Sequence, residues 1–76
     1  MIIKYFGIIS DIVGKSQEKI SFKGRFKNLM VFLLKKYPIS KYLSDYTILL
    51  NGRKAKEKDI INEKSVVVFL PVVMGG

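Results

Sequence analysis

The chain has 76 residues, 49% of them hydrophobic, and its 14 Lys and Arg against 6 Asp and Glu give a formal charge of +8. That length supports one small domain with a modest core, and the absence of Cys and His excludes disulfide bracing and nucleophile–histidine catalysis. The longest apolar run, Val66 to Met74, is broken by Pro71 and falls well short of the ~20 residues that cross a membrane, so a cytoplasmic chain with no membrane segment is expected.

Met1 to Ile9 is apolar at nearly every position and predicts a central strand, with Gly7 marking a bulge or bend. No secretory signal is visible in this segment, and none is expected. Ser10 to Lys15 carries turn residues and predicts a loop. Gln17 to Phe22 alternates, with Lys19 and Ser21 on one face and Glu18, Ile20 and Phe22 on the other, so a half-buried strand antiparallel to the first is expected. After Gly24, the residues Phe26, Leu29, Met30, Leu33, Leu34 and Tyr37 recur at helical spacing. Lys35 and Lys36 suit the C-terminal end of a helix, and Pro38 stops it. No strong N-cap residue fixes the start. Ile39 to Asp45 reads as a polar connection anchored by Tyr42 and Leu43. Tyr46 to Leu50 is a strand, and Asn51-Gly52 is a type I′ hairpin turn that returns the chain into a short edge strand over Arg53 to Lys56. Lys58 to Ser65 reads as a connection with Ile60 and Ile61 tucked inward. The last strand is Val66 to Leu70, and pairing is expected to stop at Pro71, which has no N–H to donate.

This order, with one helix and its most apolar strands first and last, predicts an α+β fold. Its form is a β-grasp, or ubiquitin-like, arrangement: a mixed sheet of about five strands curled around the helix, with the terminal strands parallel at its centre. The whole span 1–76 is read as one domain with a flexible tail over 71–76. The final strand is apolar on both faces while a helix covers only one. Some of Val66, Val68, Leu70 or their alternates are therefore expected to be exposed as a partner surface.

The six acidic residues are scattered, no cluster has metal-ligand spacing, and no phosphate-cradling glycine motif occurs. The chain is not expected to be an enzyme by itself, nor to hold a metal or a permanently bound cofactor. The basic cluster Arg53 to Lys58 reads as a solvated loop or a surface for an acidic protein in preference to a nucleic-acid site. The distinctive chemistry is at Gly75-Gly76, where a carboxylate on residues without side chains can enter a channel that any Cβ would block.

Several pieces in order resemble the MoaD/ThiS family of sulfur carriers. They are Tyr5-Phe6-Gly7, Asp11 with Val13-Gly14, the helix residues Leu29, Leu33 and Leu34 with Tyr37-Pro38, Leu50-Asn51-Gly52, and Val66 to Pro71 with Val73 and Gly75-Gly76. The resemblance is closest to carriers that serve molybdopterin synthase. It implies that a ubiquitin-activating-type adenylyltransferase (MoeB-like) uses ATP to adenylate Gly76. A persulfide donor then supplies sulfur to give a thiocarboxylate. The tail enters the large subunit of molybdopterin synthase (MoaE-like) and delivers sulfur to a pyranopterin precursor. Gly76 is thus the reactive site, and Gly75, Met74, Val73, Val72, Pro71, Leu70 and Phe6 are the expected partner-binding residues. Val72 stands where the family commonly has a second proline, and Met74 where a small or hydroxyl residue precedes the glycines. Thiamine or tRNA thiolation, protein conjugation through Gly76, and a β-grasp RNA-binding module are the alternatives.

Overall fold

A computed structural model of the chain describes residues 1–72. Strands β1 (Ile2–Tyr5), β2 (Gln17–Lys19), β4 (Tyr46–Leu50), β5 (Arg53–Lys54) and β7 (Val66–Pro71) form one sheet in the order β2-β1-β7-β4-β5. Strands β1 and β7 are parallel neighbours at its centre, and β4 pairs antiparallel with β7. The main helix, α2 (Phe26–Lys36), buries Phe26, Leu29 and Leu33 against the sheet. They meet Ile3, Tyr5, Val67 and Phe69, each at most 1% exposed. This is the expected ubiquitin-like β-grasp.

The first strand is shorter than predicted. It ends at Tyr5, and Ile8–Val13 forms a helix, α1, where a strand end and a loop were expected. Gly7, at φ 67°, turns the chain out of the sheet, and Gly14, at φ 85°, ends the helix. Ile9 and Val13 lie i and i+4 and both point into the core. Ordered strand β2 likewise stops early, although Ile20 still donates to the Met1 carbonyl.

Gly24–Arg25 (β3) pairs with Ile60–Ile61 (β6) in a two-stranded ribbon that the expected Lys58–Ser65 connection did not include. The ribbon explains the missing N-cap. The Phe26 and Lys27 N–H groups, unpaired within the helix, donate to the Asp59 and Glu57 carbonyls at 2.7 and 3.1 Å. Backbone replaces the side-chain cap. Ile61 is buried, but Ile60 is 63% exposed, since adjacent strand residues point to opposite sides. Leu34, expected on the buried helix face, is 37% exposed; the face is narrower than its apolar stripe.

Ser40–Asp45 is a 3-10 helix on which Tyr42 and Leu43 pack as anchors. Asn51 (φ 51°) and Gly52 (φ 86°) make the positive-φ turn the sequence predicts. Pairing does not stop at Pro71, which lies in β7 opposite Tyr46, and the Val72 N–H donates to Asp45 at 2.8 Å. Asn51 donates to Val66 and Val72 donates to Asp45, so even-numbered residues of β7 exchange bonds with β4. The missing donor of Pro71 faces the β1 side instead, beyond the end of that strand, where no ladder bond is lost.

Glu18 is the polar feature of the core edge. Its side chain is 8% exposed and accepts hydrogen bonds from Tyr5 and, at 2.9 Å, from Tyr37. Burial opposes its charge, but the two phenol hydrogen bonds and the charges of Lys36 and Lys15 prevail and hold its carboxyl below the ordinary value of 4.5. Burial and the same carboxylate push both phenols up, keeping them protonated as donors. The lysines stand 3.5 and 3.7 Å away and are nearly half exposed, so the phenols contribute more than the ion pairs. Glu18→Gln is expected to cost about 1.5–3 kcal/mol at pH 7, the range for hydrogen bonds to a charged group. Because the folded pKa is depressed, this stability is complete above the unfolded value and lost as pH falls through the folded one. Thermal melts from pH 7 to 3 should therefore show the two proteins converging in acid.

Candidate functional site

The base of the tail is built where three segments meet. Tyr46, from β4, donates its hydroxyl to the Phe6 carbonyl at 2.6 Å and accepts the Ile9 N–H at 3.1 Å. It thereby holds the Phe6–Ile9 corner and satisfies one free N–H of α1. A Cβ on Gly7 would lie 2.8 Å from that hydroxyl and 3.4 Å from Cγ of Pro71. Gly7 therefore lets the corner close onto the end of β7. Phe6, Ile8 and Val72 around this contact are 46, 48 and 41% exposed. The sequence marked Gly7 as a bend, but nothing in it pointed to the Tyr46 hydroxyl or to Ile8.

The second component is the sheet face turned away from α2. Val67 and Phe69 point inward, while Val66, Val68 and Leu70 point outward and are half-buried. Ile2 lies opposite Val66, Leu49 opposite Val68 and Thr47 opposite Leu70, so these side chains share one apolar stripe leading to Pro71 and Val72. Of the expected partner residues, the structure brings Phe6, Leu70, Pro71 and Val72 to one end of this face. Val73, Met74, Gly75 and Gly76 lie outside the described residues. Phe6→Ala is expected to move the melting temperature by less than ~4 °C, whereas Phe69→Ala, in the core, costs about 3–5 kcal/mol. Parallel melts of the two variants check this.

A cavity of about 490 Å³ lies elsewhere, between α2, the 3-10 helix and β4, lined by Phe26, Met30, Leu34, Leu43 and Ile48 among others. Its titratable lining residues are Lys27 and Glu57. Among the described residues no three His, Cys, Asp or Glu side chains group to hold a metal, and no helix is long and apolar enough to cross a membrane. The described site presents backbone, the Tyr46 hydroxyl and apolar surface; the chemistry expected of it depends on the tail.

A family model described as the ThiS family matches residues 3–76. Comparison with curated proteins finds no match. Among solved structures, SAMP1 from Haloferax volcanii aligns over 100% of this chain and 98% of its own, with 16% identity and a TM-score of 0.81. Molybdopterin converting factor subunit 1 from Pyrococcus furiosus aligns over 95% of each chain, with 23% identity and a TM-score of 0.82. A complex of subunits 1 and 2 of the molybdopterin-converting factor from Helicobacter pylori contains a chain that aligns over 99% of this one and 96% of its own, with 24% identity and a TM-score of 0.73. At these identities the solved structures establish the shared fold.

Proposed function

The chain belongs to the ThiS family of ubiquitin-like sulfur carriers, and from that premise we propose that it carries sulfur on Gly76 for the synthesis of the molybdenum cofactor. The carrying observation is the position of β7. This central strand ends at Pro71, at the edge of the half-buried apolar stripe, with Gly75-Gly76 a few residues beyond. A partner that grips the face has the glycines within reach. The Pyrococcus and Helicobacter structures, both described as molybdopterin converting factor, favour this pathway over thiamine or tRNA thiolation.

The steps follow from carboxylate chemistry. A carboxylate is a poor acyl donor, so the Gly76 carboxylate attacks the α-phosphorus of ATP on a MoeB-like adenylyltransferase and pyrophosphate leaves. The terminal sulfur of a persulfide donor then attacks the acyl carbon and AMP leaves. A thiol reductant cleaves the resulting S–S bond and frees the thiocarboxylate. The charged tail enters a MoaE-like large subunit, where its sulfur attacks a carbon of the pyranopterin precursor and water then cleaves the acyl–sulfur bond, leaving that sulfur on the pterin and returning the Gly76 carboxylate; a second charged chain supplies the second sulfur of the dithiolene. No side chain of this chain acts as acid or base in these steps. The two glycines keep the tail narrow, and the Tyr46–Gly7–Pro71 contact fixes where it leaves the sheet. The test is a reconstituted transfer: the thiocarboxylated chain, a large synthase subunit and the pyranopterin precursor. Formation of the dithiolene with regeneration of the carboxylate supports the pathway. A stable thiocarboxylate that never reacts there assigns the carrier to another acceptor.

A further inference from the structure

The outward sheet face is charged in one sense only. Lys4 lies opposite Val68 on one side and Gln17 on the other, Lys19 opposite Ile2, and Lys54 opposite Leu49. These lysines are exposed and border the apolar stripe. No strand position on this face carries an acid. Glu18 points into the core edge, Asp45 stands just outside at the end of the 3-10 helix, and the other acids lie in α1 and the loops.

Edge protection accounts for Lys19 and Lys54, since β2 and β5 are the outer strands of the sheet. It does not account for Lys4. Strand β1 is paired on both sides, and a residue there normally serves the face and not the edge. Lys4 places a cation beside the half-buried Val68, inside the stripe.

Resting on the sulfur-carrier reading above, we propose that the protein partner of this face carries carboxylates around an apolar centre, and that Lys4, Lys19 and Lys54 steer it into register. The apolar stripe supplies the contact area, and the lysines select the partner and speed its approach. The tail emerges at one end of the same face, so a partner that takes the tail is positioned to cover the stripe. A protein fits better than RNA: the apolar stripe is built from Ile2, Leu49, Val66, Val68 and Leu70, and Phe6 at its end offers a single exposed ring in place of the row of rings on which successive bases stack.

The experiment measures association of the full chain with the large subunit that accepts its sulfur, by stopped flow over a range of salt, for the natural protein and for a Lys4→Gln, Lys19→Gln, Lys54→Gln variant. All three positions are exposed, and matched melting curves verify that the variant folds. The association rate of the natural protein is expected to fall ~10-fold from low to high salt, and the variant to start ~10-fold slower with most of its salt dependence gone. Leu70→Ala should instead speed dissociation and leave the salt dependence intact. Association that ignores salt, or a variant that matches the natural protein, overturns the lysine assignment while the carrier reading stands. Failure to associate at any salt, beside normal formation of the thiocarboxylate, overturns the proposed acceptor and this inference with it. Lysine-dependent binding of a single-stranded RNA oligomer in place of the subunit overturns the choice of a protein partner.

Discussion

Replacing Gly7 with alanine is expected to lower the midpoint of thermal unfolding by roughly 15 °C, a loss of about 3 kcal/mol. Two costs combine. The backbone of Gly7, at φ 67° and ψ −145°, is close to a region that residues with a Cβ essentially never occupy. The added methyl also meets the Tyr46 hydroxyl at 2.8 Å, so the tyrosine must withdraw from the Phe6 carbonyl and the Ile9 N–H. Tyr46→Phe separates the two. Alone it removes the hydroxyl and costs about 1–2 kcal/mol, because two backbone groups lose a partner. In its presence the steric part of Gly7→Ala disappears, so the double variant should lose less than the sum by ~0.5–2 kcal/mol. Strictly additive losses would show that the hydroxyl does not press on position 7.

Much of the architecture is legible from side-chain periodicity. The helical spacing from Phe26 to Leu33, the Asn51-Gly52 turn and the apolar terminal strands each follow a rule that operates within a few residues. Together they leave one economical sheet order. The features that escaped depend on distant partners. Helix α1 was hidden because Ile8 and Ile9 continue the apolar run of β1, although Ile8, Ile9, Ile12 and Val13 already hold helical spacing and Gly14 a helix stop. The β3–β6 ribbon joins segments of two residues each, too short for any periodic signal. From sequence alone Pro71 is a barrier to pairing, because the side its nitrogen faces depends on register, which only the paired strands define. Of the site, the chemistry expected at Gly75-Gly76 rests on the sequence alone, since both residues lie outside the described ones. The approach of the Phe6-Gly7 corner to Pro71, the Tyr46 clamp and the lysines around the stripe required the register of β1, β2, β4, β5 and β7.

Extending the chain by one residue after Gly76 is expected to leave the melting curve unchanged and to abolish activation. The adenylating enzyme must bring a carboxylate to the α-phosphorus of ATP along a path that suits two residues without side chains. An added alanine moves the carboxylate by one residue, ~3.5 Å, and places a Cβ at the narrowest part of that path. A misplacement of even 1 Å can cost ~100-fold in rate, so ATP–pyrophosphate exchange should fall by at least that factor. Gly76→Ala keeps the length and adds only the methyl; it separates the narrow path from the reach of the tail. Exchange at the natural rate with the extended chain would mean that the carboxylate is not threaded to the reaction centre.

The most direct measurement is the intact mass of the protein purified from its own host under mild, thiol-preserving conditions, with fragmentation to locate any change. One oxygen replaced by one sulfur at Gly76 is the expected result, and its disappearance on incubation with the accepting subunit and the pyranopterin precursor would connect the sulfur to its use. A Gly76 that remains an ordinary carboxylate, and stays so after incubation with ATP, the host's adenylating enzyme and a persulfide donor, would contradict the sulfur-carrier assignment.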